Sequence, residues 1–451
     1  MKLRLRTIVT AFLFLIPAVV LSAQSVSVQP ESDAGNTEGQ LSLALARSLA
    51  LAKSAAVRKY TLAVDEAALV KQAQVYAALP DLSASAAAAY DIPDSLPDGV
   101  SASAGLAASA TVFDGGKNIV LSRKYDFALQ AARENLRAGR ISVIDTVDSA
   151  FFSVLECQAS FDAAQSDLNA AKLRLEIAQA KADAGALSKS DLLETESEIA
   201  SYQAALDKAK AALISAEVKL SSLTGRPALS KPVPVDFTVY DTVIRKLGAL
   251  EGSALDTLIA SVVTTARANS PTYSASVLSA KEAGQTLTAA KTACLPTVSA
   301  ALSGKYTAGT GTSDTSAGVT LSAAMDLDVW TLRNSIKQAQ NALAQADAGT
   351  AEDGETLDLN VAQAVCSWIS SAMAIPSCVT ALSYAGTNYE NVLEKFKLSI
   401  ATTSDVSTAQ ALVSADETAL ISAQYAFLSS LSTLRGLAGL EGEADIIAAV
   451  K

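Results

Sequence analysis

Hydrophobic residues recur at every seventh position over two long stretches of the chain, between residues 147 and 223 and between residues 361 and 434. In the first stretch, mostly small residues such as Ala150 and Ala164 follow three positions after each large one. A heptad of this kind predicts long helices that pair as coiled coils. The large positions are Val147, Val154, Phe161, Leu168 and Leu175, then Leu192, Ile199, Leu206, Leu213 and Leu220, then Val361, Trp368, Ile375, Leu382 and Tyr389, and finally Val406, Val413, Leu420, Phe427 and Leu434.

Short stretches of alternating small residues precede each heptad region. They cover residues 82–91 and 100–113 in the first half and residues 297–309 and 317–327 in the second, and each pair is separated by proline or glycine residues. This pattern predicts one β-hairpin in each half of the chain. The helical segments that come before the hairpins, 41–78 and 255–293, are predicted to stop at Pro80 and Pro296, because proline lacks an N–H and clashes with the preceding turn.

The same order of segments therefore occurs twice. Leu79-Pro80 reappears as Leu295-Pro296 at an offset of 216 residues, and Phe113-Asp114 matches Leu327-Asp328 at an offset of 214. We interpret the chain as a tandem duplication. The predicted divisions are a first repeat at 41–225, a linker at 226–254, a second repeat at 255–439 and a C-terminal tail at 440–451.

The N-terminus has the pattern of a secretory signal peptide. Lys2, Arg4 and Arg6 precede an apolar run at residues 8–21, which ends in small residues before position 24. We predict a signal peptide at 1–23, followed by a polar segment at 24–40. The leader is also expected to hold the only apolar run that approaches the roughly 18 residues of a membrane helix. Any membrane crossing by the mature chain would then use strands.

Composition argues against several classes of function. The chain has no histidine, and its cysteines lack the spacing of metal ligands, so neither a metal site nor a catalytic centre is predicted, and no cofactor is expected. The net charge of -11 argues against nucleic-acid binding, because phosphates need a basic surface. The four cysteines are predicted to be small buried residues: Cys157, Cys294, Cys366 and Cys378.

Four sets of residues together resemble the TolC-like family of outer-membrane efflux proteins. They are the Leu-Pro before each hairpin, the strand ending at residues 112–116, the turn at residues 184–193 and the Leu-Thr-Gly that ends at Gly225. Most of them occur again in the second half. The resemblance covers nearly all of residues 41–440.

This resemblance implies a mainly α fold with some β structure, in which long antiparallel coiled-coil helices accompany two β-hairpins per chain. Four strands cannot close a membrane barrel, whereas three chains would supply twelve. The implied protein is a homotrimer with a 12-stranded outer-membrane barrel continuous with a periplasmic α-helical tunnel, and residues 226–254 form its equatorial linker. It would be a passive conduit of a tripartite efflux or type I secretion system, in contact with outer-membrane lipid, a periplasmic adaptor protein and an inner-membrane pump.

Two alternatives belong to other classes of protein. A coiled-coil envelope protein or adhesin that forms no channel would explain the heptads and the secretion, but not two hairpins at matching points of the repeats. A periplasmic enzyme is disfavoured by the absence of histidine and of any convergent catalytic set.

The resemblance places the turns near residues 185–193 and 399–406 at the periplasmic tip of the tunnel. Asp191 and Asp405 are then predicted to line its narrow end as an acidic constriction. The alternative is that both act only in helix capping, in the first turn after a cap. The other predicted tip residues are Gly185, Lys189, Ser190 and Ser404, of which the two serines are the candidate caps. Neither turn contains the arginine that latches the tip in some relatives.

The remaining candidate residues lie in or beside the strands. Tyr90 and Tyr306 are candidates for an aromatic ring at the membrane interface, or are ordinary strand tyrosines. For residues 100–113, the outward face is either that of Leu106 and Val112 or that of Phe113. The predicted helix–strand junctions are Pro80, Pro296, Phe113, Asp114 and Asp328.

Overall fold

The structure is a computed structural model, and it describes residues 40–91, 99–225, 231–250, 252–309, 312–440 and 442. The predicted signal peptide, residues 24–39 of the polar segment and most of the tail lie outside the described residues. So do parts of both hairpin turns and the beginning of the linker.

Helices make up most of the described chain. They are α1 (Leu43–Lys53), α2 (Ala55–Tyr76), α3 (Lys117–Asp183), α4 (Lys189–Thr224), α5 (Asp241–Gly248), α6 (Ser253–Asn269), α7 (Pro271–Thr292), α8 (Val329–Lys397) and α9 (Thr403–Leu437). The strands are β1 (Gln40–Leu41), β2 (Asp81–Asp91), β3 (Gly99–Phe113), β4 (Lys231–Pro232), β5 (Thr297–Gly309) and β6 (Thr312–Ala324).

Each repeat begins with two helices, where the sequence predicted one. The breaks fall at Ser54 and Ser270, which occupy the same position in the two repeats. Ser54 ends α1, and its side chain accepts a hydrogen bond from the N–H of Val57 at the start of α2. Ser270 precedes Pro271, the first residue of α7. A serine oxygen that caps the next helix, or a proline at its first position, favours this restart over continuation of one helix.

The predicted heptad seams are confirmed. Val147, Val154 and Leu168 of α3 and Val361 and Trp368 of α8 are at most 2% exposed. The two long helices have 67 and 69 residues, and each pairs with the helix that follows it, α3 with α4 and α8 with α9.

The four longer strands form one antiparallel sheet in the order β2-β3-β5-β6. The long helices follow the same order, because α2 packs on α3, α3 on α7 and α7 on α8. Each hairpin thus continues into a pair of helices beside it. Within the described chain, β2 and β6 are the edges of the sheet and α2 and α8 are the edges of the helical layer.

The sheet has one apolar and one polar face. Leu82, Ala108, Leu302 and Val319 pair in one row across it, whereas Ser83, Ala107, Ser303 and Gly318 pair in the next row on the opposite face. Leu106 pairs with Gly304 and lies on the apolar face. A β-bulge between Thr111 and Phe113 makes Val112 an extra residue, so that Phe113 pairs with Val298 on that same face.

This bulge resolves the choice that was open for residues 100–113. Regular alternation along the strand would place Leu106 and Phe113 on opposite faces. The bulge at Val112 interrupts this alternation, so both residues face the apolar side. The second strand of the other hairpin also differs from its prediction, since β6 ends at Ala324 and Leu327 lies beyond it.

The middle of the long helices contains the main hydrophobic core, which also includes parts of α1, α5 and α6. Trp368 stacks on Phe427, with 6.0 Å between the ring centroids. Next to this core lies an ionic network. Both Asp148 and Arg435 are fully buried, and Asp148 binds Arg47 of α1 at 2.7 Å and Arg435 of α9 at 2.7 Å. The Nη2 atom of Arg435 also lies 2.6 Å from Asp145.

Helix α8 corrects the expectation that only the leader would hold an apolar run of membrane-spanning length. It contains an 18-residue window with a mean hydropathy of 1.5, long and apolar enough to cross a membrane by length and composition alone. No charged residue occurs between Asp358 and Glu390. The same stretch supplies Val361, Trp368 and Ile375 to the hydrophobic core, which accounts for its composition.

The cysteines also differ from their prediction as small buried residues. All four are free thiols; Cys366 is exposed and the other three are half-buried. Cys366 follows the buried Val365 on α8 and therefore lies off the packed face of the helix.

Candidate functional site

The first candidate tip is the turn between α3 and α4. Gly185 has a φ of 72°, and the N–H of Ala186 donates to the carbonyl of Lys181 at 2.8 Å. Ser188 then caps α4, since its hydroxyl accepts a hydrogen bond from the N–H of Asp191 at 3.1 Å. The chain reverses here through a left-handed residue followed by a capped helix.

The turn between α8 and α9 has the same construction. Ser399 lies 214 residues after Gly185 and takes its place with a φ of 61°. It is the one non-glycine residue in the described part of the chain with a positive φ. The N–H of Ile400 donates to the carbonyl of Lys395 at 2.9 Å, and Thr402 caps α9 by accepting from the N–H of Asp405 at 3.2 Å.

These geometries correct the predicted caps. Ser188 and Thr402 cap the helices, whereas Ser190 and Ser404 are the second residues of α4 and α9. The two helices begin earlier than expected, at Lys189 and Thr403. The hydroxyl of a capping residue accepts a hydrogen bond from the N–H group three residues later, here that of Asp191 or Asp405. The caps therefore lie two residues before the predicted serines.

The two predicted tip carboxylates differ in their contacts. Asp405 completes a capping box, because its Oδ2 accepts from the N–H of Thr402 at 2.9 Å and from its hydroxyl at 2.7 Å. These hydrogen bonds lower the pKa of Asp405. Their stabilising effect is present at neutral pH and is lost as the pH falls through the lowered pKa. Asp191 also lies in a first helical turn, but its carboxylate makes no hydrogen bond to the described residues.

A third feature near the tips was not predicted. Asp167, Arg174 and Lys181 are spaced by seven residues along α3, one position before the apolar seam. We call these three residues the polar column. Asp167 is 8% exposed; Gln410 of α9 donates to its Oδ1 at 2.6 Å, and the hydroxyl of Ser414 donates to its Oδ2.

The other two members make weaker or more exposed contacts. Arg174 is 2% exposed, and its Nη1 lies 3.4 Å from Oε2 of Glu198, but its guanidinium N–H groups have no hydrogen-bond acceptor among the described residues. Lys181 donates to the carbonyl of Phe396 on α8, and its Nζ lies 3.8 Å from the centroid of the Phe396 ring. Burial lowers the pKa of Lys181.

The polar column therefore connects α3 to both helices of the second pair. Its sequence signal was available, since charged residues at a spacing of seven beside an apolar seam are typical of positions that form polar contacts between the helices of a coiled coil. A search restricted to apolar periodicity overlooks it.

The predicted helix–strand junctions lie where strands and helices meet. Pro80 and Pro296 directly precede β2 and β5, and Phe113 ends β3. Asp114 accepts from the N–H of Asn118 at 2.6 Å, and Asp328 caps α8 by accepting from the N–H of Thr331 at 3.2 Å. Both aspartates thus serve the start of a long helix.

Of the two predicted interfacial tyrosines, Tyr306 belongs to the apolar face of the sheet. Tyr90 pairs with Val100. Tyr306 is exposed and lies in the row of Ala86 and Ala104, four residues along β2 from Tyr90.

A sheet with one apolar face and open edges, continued strand by strand into long coiled helices, defines a subunit of an outer-membrane channel. The family model described as "Outer membrane efflux protein" matches residues 42–226 and 262–440, and the chain belongs to this family. It is an outer-membrane efflux channel protein, from a family whose members are channels and not enzymes.

Solved structures have the same fold. CusC superposes with a TM-score of 0.77 at 15% identity, over 88% of this chain and 92% of that chain. The CmeC channel of Campylobacter jejuni gives 0.75 at 16% identity, over 91% and 89% of the two chains. VceC of Vibrio cholerae gives 0.72 at 16% identity, over 88% and 96%. Comparison with curated protein sequences gives no match. None of these findings supports an adhesin or a spacer that forms no channel.

Proposed function

We propose that the chain acts as a homotrimer that conducts substrates delivered by an inner-membrane pump through a periplasmic adaptor, in an efflux or type I secretion system. The observation that carries this proposal is the pair of open edges. A four-stranded sheet with unpaired edges is not tolerated in lipid, whereas three copies joined β6 to β2 close a barrel of twelve strands.

The internal repeat suggests how copies meet. Within one chain, the junction after β3 packs against the junction before β5, so closely that a Cβ added to Gly115 would lie 2.7 Å from Cβ of Leu295. The equivalent residues at the two edges are Val329 and Leu79, which are 64% and 61% exposed. We infer that these edges meet between neighbouring copies and bury this surface.

The same duplication supports the proposed domain division. Residues 41–225 and 255–439 are the two structural repeats, and 226–254 is the equatorial linker between them. Tyr90 and Tyr306 are proposed to face the outer-membrane interface, and the position of Tyr306 on the apolar side of the sheet supports this.

The tips are the proposed gate. Asp191 and Asp405, contributed by each of three chains, would form an acidic constriction with Gly185, Lys189, Ser190 and Ser404 around it. Like charges held close together attract cations. Because the carboxylate of Asp405 is already engaged in its capping box, we propose that Asp191 contributes most to the field in the tunnel.

The polar column is the proposed moving contact of this gate. Lys181 holds α3 to the end of α8 by a hydrogen bond and a ring contact. Hydrogen bonds to charged groups contribute about 1.5–3 kcal/mol each after exchange with water. We propose that these hydrogen bonds exchange for water when the two helix pairs of a chain separate near the tips.

Conductance in planar bilayers tests the gate. The wild-type channel should be cation-selective and blocked from the periplasmic side by a trivalent cation. Asp191→Asn should weaken the block by about tenfold or more, whereas Asp405→Asn should weaken it less and loosen the start of α9. Lys189→Gln is the matched control, because it changes a tip charge without removing a carboxylate.

Two results would contradict the proposal. If Asp191→Asn is blocked as readily as the wild type, the constriction lies elsewhere. If native mass measurement finds a stable monomer or dimer in detergent, the trimer is wrong.

A further inference from the structure

A groove of about 490 Å³ lies where β6 passes into α8, against the end of α7. Its wall is mainly apolar and includes Met325, Leu327, Leu332 and Ile336. Arg333 and Lys337 lie at the same wall, one helical turn apart. The groove is separate from the tips. Val329, which we infer to meet a neighbouring copy, lies at its margin, and its other lining residues have no role in the channel or the gate described above.

The groove continues the apolar face of the sheet. Val319, Leu321 and Ala323 occupy successive positions on that face of β6, and Met325 is the next residue in the alternation. Val319 and Leu321 are 80% and 73% exposed. Because this face is the one that can meet lipid, the groove begins at the level where the hydrocarbon region ends and the headgroups begin.

Two side chains that line the groove, and a third that follows the lining residue Val329 in the chain, have the chemistry of a membrane interface. Trp330 is 77% exposed at the first turn of α8. Both Arg333 and Lys337 are exposed, and neither has a hydrogen bond or an ion pair with the described residues. The carboxylate at the groove, that of Asp326, accepts from the N–H of Asp328 at 2.9 Å and is held to the backbone.

We propose that this groove binds an anionic phospholipid from the leaflet on the helical side of the outer membrane. An acyl chain lies along the apolar wall, and the phosphate lies between Arg333 and Lys337. Long cationic side chains reach from apolar surface toward headgroups, and basic pockets at a membrane surface bind anionic lipids. Trp330 marks the interface beside the bound lipid.

The first repeat lacks this combination, which argues against a general property of the fold. At the offset of 214 residues, Met325, Trp330 and Arg333 correspond to Thr111, Gly116 and Ile119. Leu332 corresponds to Asn118, whose side chain accepts from Gln74 at 2.8 Å. Of the two groove cations, only Lys337 has a basic equivalent, Arg123. Each chain therefore has one such site.

The two tryptophans of the chain allow a direct test. Trp330 is exposed next to the groove-lining Val329 in the chain, whereas Trp368 is fully buried in the helical core. The full-length protein carrying Trp368→Phe is reconstituted in vesicles of phosphatidylcholine that contain a minor fraction of lipid brominated in the acyl chain. That lipid is either phosphatidylglycerol or phosphatidylcholine, and quenching of Trp330 fluorescence is measured.

We expect brominated phosphatidylglycerol to give the same degree of Trp330 quenching as brominated phosphatidylcholine at roughly one-fifth of the lipid fraction, because two cations favour the anionic headgroup. Arg333→Gln with Lys337→Gln should remove this preference. Arg123→Gln, the matched control in the first repeat, should keep it. If the Trp368→Phe variant folds poorly, the fluorescence of Trp330 is obtained instead by subtracting the signal of the Trp330→Phe variant from that of the wild type.

Three outcomes would overturn the proposal. Equal quenching by the two brominated lipids would show no anionic site. A preference that survives the double substitution would place the site elsewhere. Absence of quenching by either lipid would show that a second copy of the chain, and not lipid, covers the groove. Each result is independent of the gate, because conductance block by a trivalent cation is measured at the tips.

Discussion

The contacts between the two repeats differ between the middle of the long helices and their tips. In the middle, Val147, Phe151 and Val154 face an apolar core that includes Trp368 and Phe427. Toward the tips, the polar column adds hydrogen bonds to the contact of α3 with α8 and α9, beside buried apolar side chains such as Ala178 and Phe396. Separating the first contact exposes apolar surface, which costs about 25 cal/mol per Å², whereas water can replace the hydrogen bonds in the second. The middle is therefore expected to hold the chain together more firmly than the ends of the helix pairs.

Buried charges show the same difference. Asp148 in the middle is bound by two guanidinium groups and by the hydroxyl of Ser432 at 2.9 Å. Arg174 near the tips is buried beside Glu198 without a well-made hydrogen bond. Several short ion pairs around Asp148 favour one arrangement more strongly than the single 3.4 Å approach of Arg174 to Glu198 does.

The largest expected effect comes from the middle. Asp148→Ala removes the buried carboxylate that both Arg47 and Arg435 bind, and we expect the free energy of unfolding to fall by about 3–5 kcal/mol. Arg174→Met removes a charge that lacks good partners, and we expect a change within about 1 kcal/mol, of either sign. Denaturant unfolding of the two variants measures the difference. Equal destabilisation would show that the tip contact is as specific as the core.

Overpacking should have an intermediate effect that also depends on the region. Ala150 and Ala178 are both fully buried and hold the same heptad position on α3. Ala150→Leu should cost about 1–3 kcal/mol, and Ala178→Leu should cost less, because helices joined by polar contacts can move apart. The exposed Ala212→Leu serves as the control with little change. If thermal unfolding shows a larger loss of stability for Ala178→Leu than for Ala150→Leu, the helices are packed more tightly near the tips than in the middle.

The smallest effect is expected at the tip turns themselves. Ser399→Gly should stabilise its turn by about 1 kcal/mol, since a left-handed φ is costly for a residue with a Cβ. Gly185→Ala, at the equivalent position, should destabilise by a similar amount. Hydrogen exchange at the N–H groups of Ile400 and Ala186 reports these local changes. Faster exchange at Ile400 in Ser399→Gly would mean that the serine is held there by contacts of its side chain.

Much of the fold could be predicted because it depends on repeated local patterns. The heptads of α3 and α8, the hairpins and the duplication each recur with the same spacing, and chance does not reproduce them twice. The breaks at Ser54 and Ser270 were missed although the serines had been noticed as equivalent. A serine inside an apolar-periodic segment does not disclose whether its side chain caps a new helix or faces solvent.

The candidate tip was predicted in position but not in detail. Asp191 and Asp405 lie in first helical turns, as the pattern indicated. The caps are Ser188 and Thr402, and only one of the two carboxylates closes a capping box. Such differences depend on where a helix begins to within a residue or two, which periodicity alone does not define.

The sequence by itself determined the periodic features of this protein: two repeats, the heptad seams, the hairpins and the acidic residue in each tip turn. These follow from spacing along the chain, and spacing is what a helix or a strand converts into a face. Only the tertiary structure decided which faces meet. The bulge that brings Phe113 beside Leu106, the contacts of Asp167 with α9 and of Lys181 with α8, and the groove at Arg333 and Lys337 all join residues whose nearness depends on register and packing between elements.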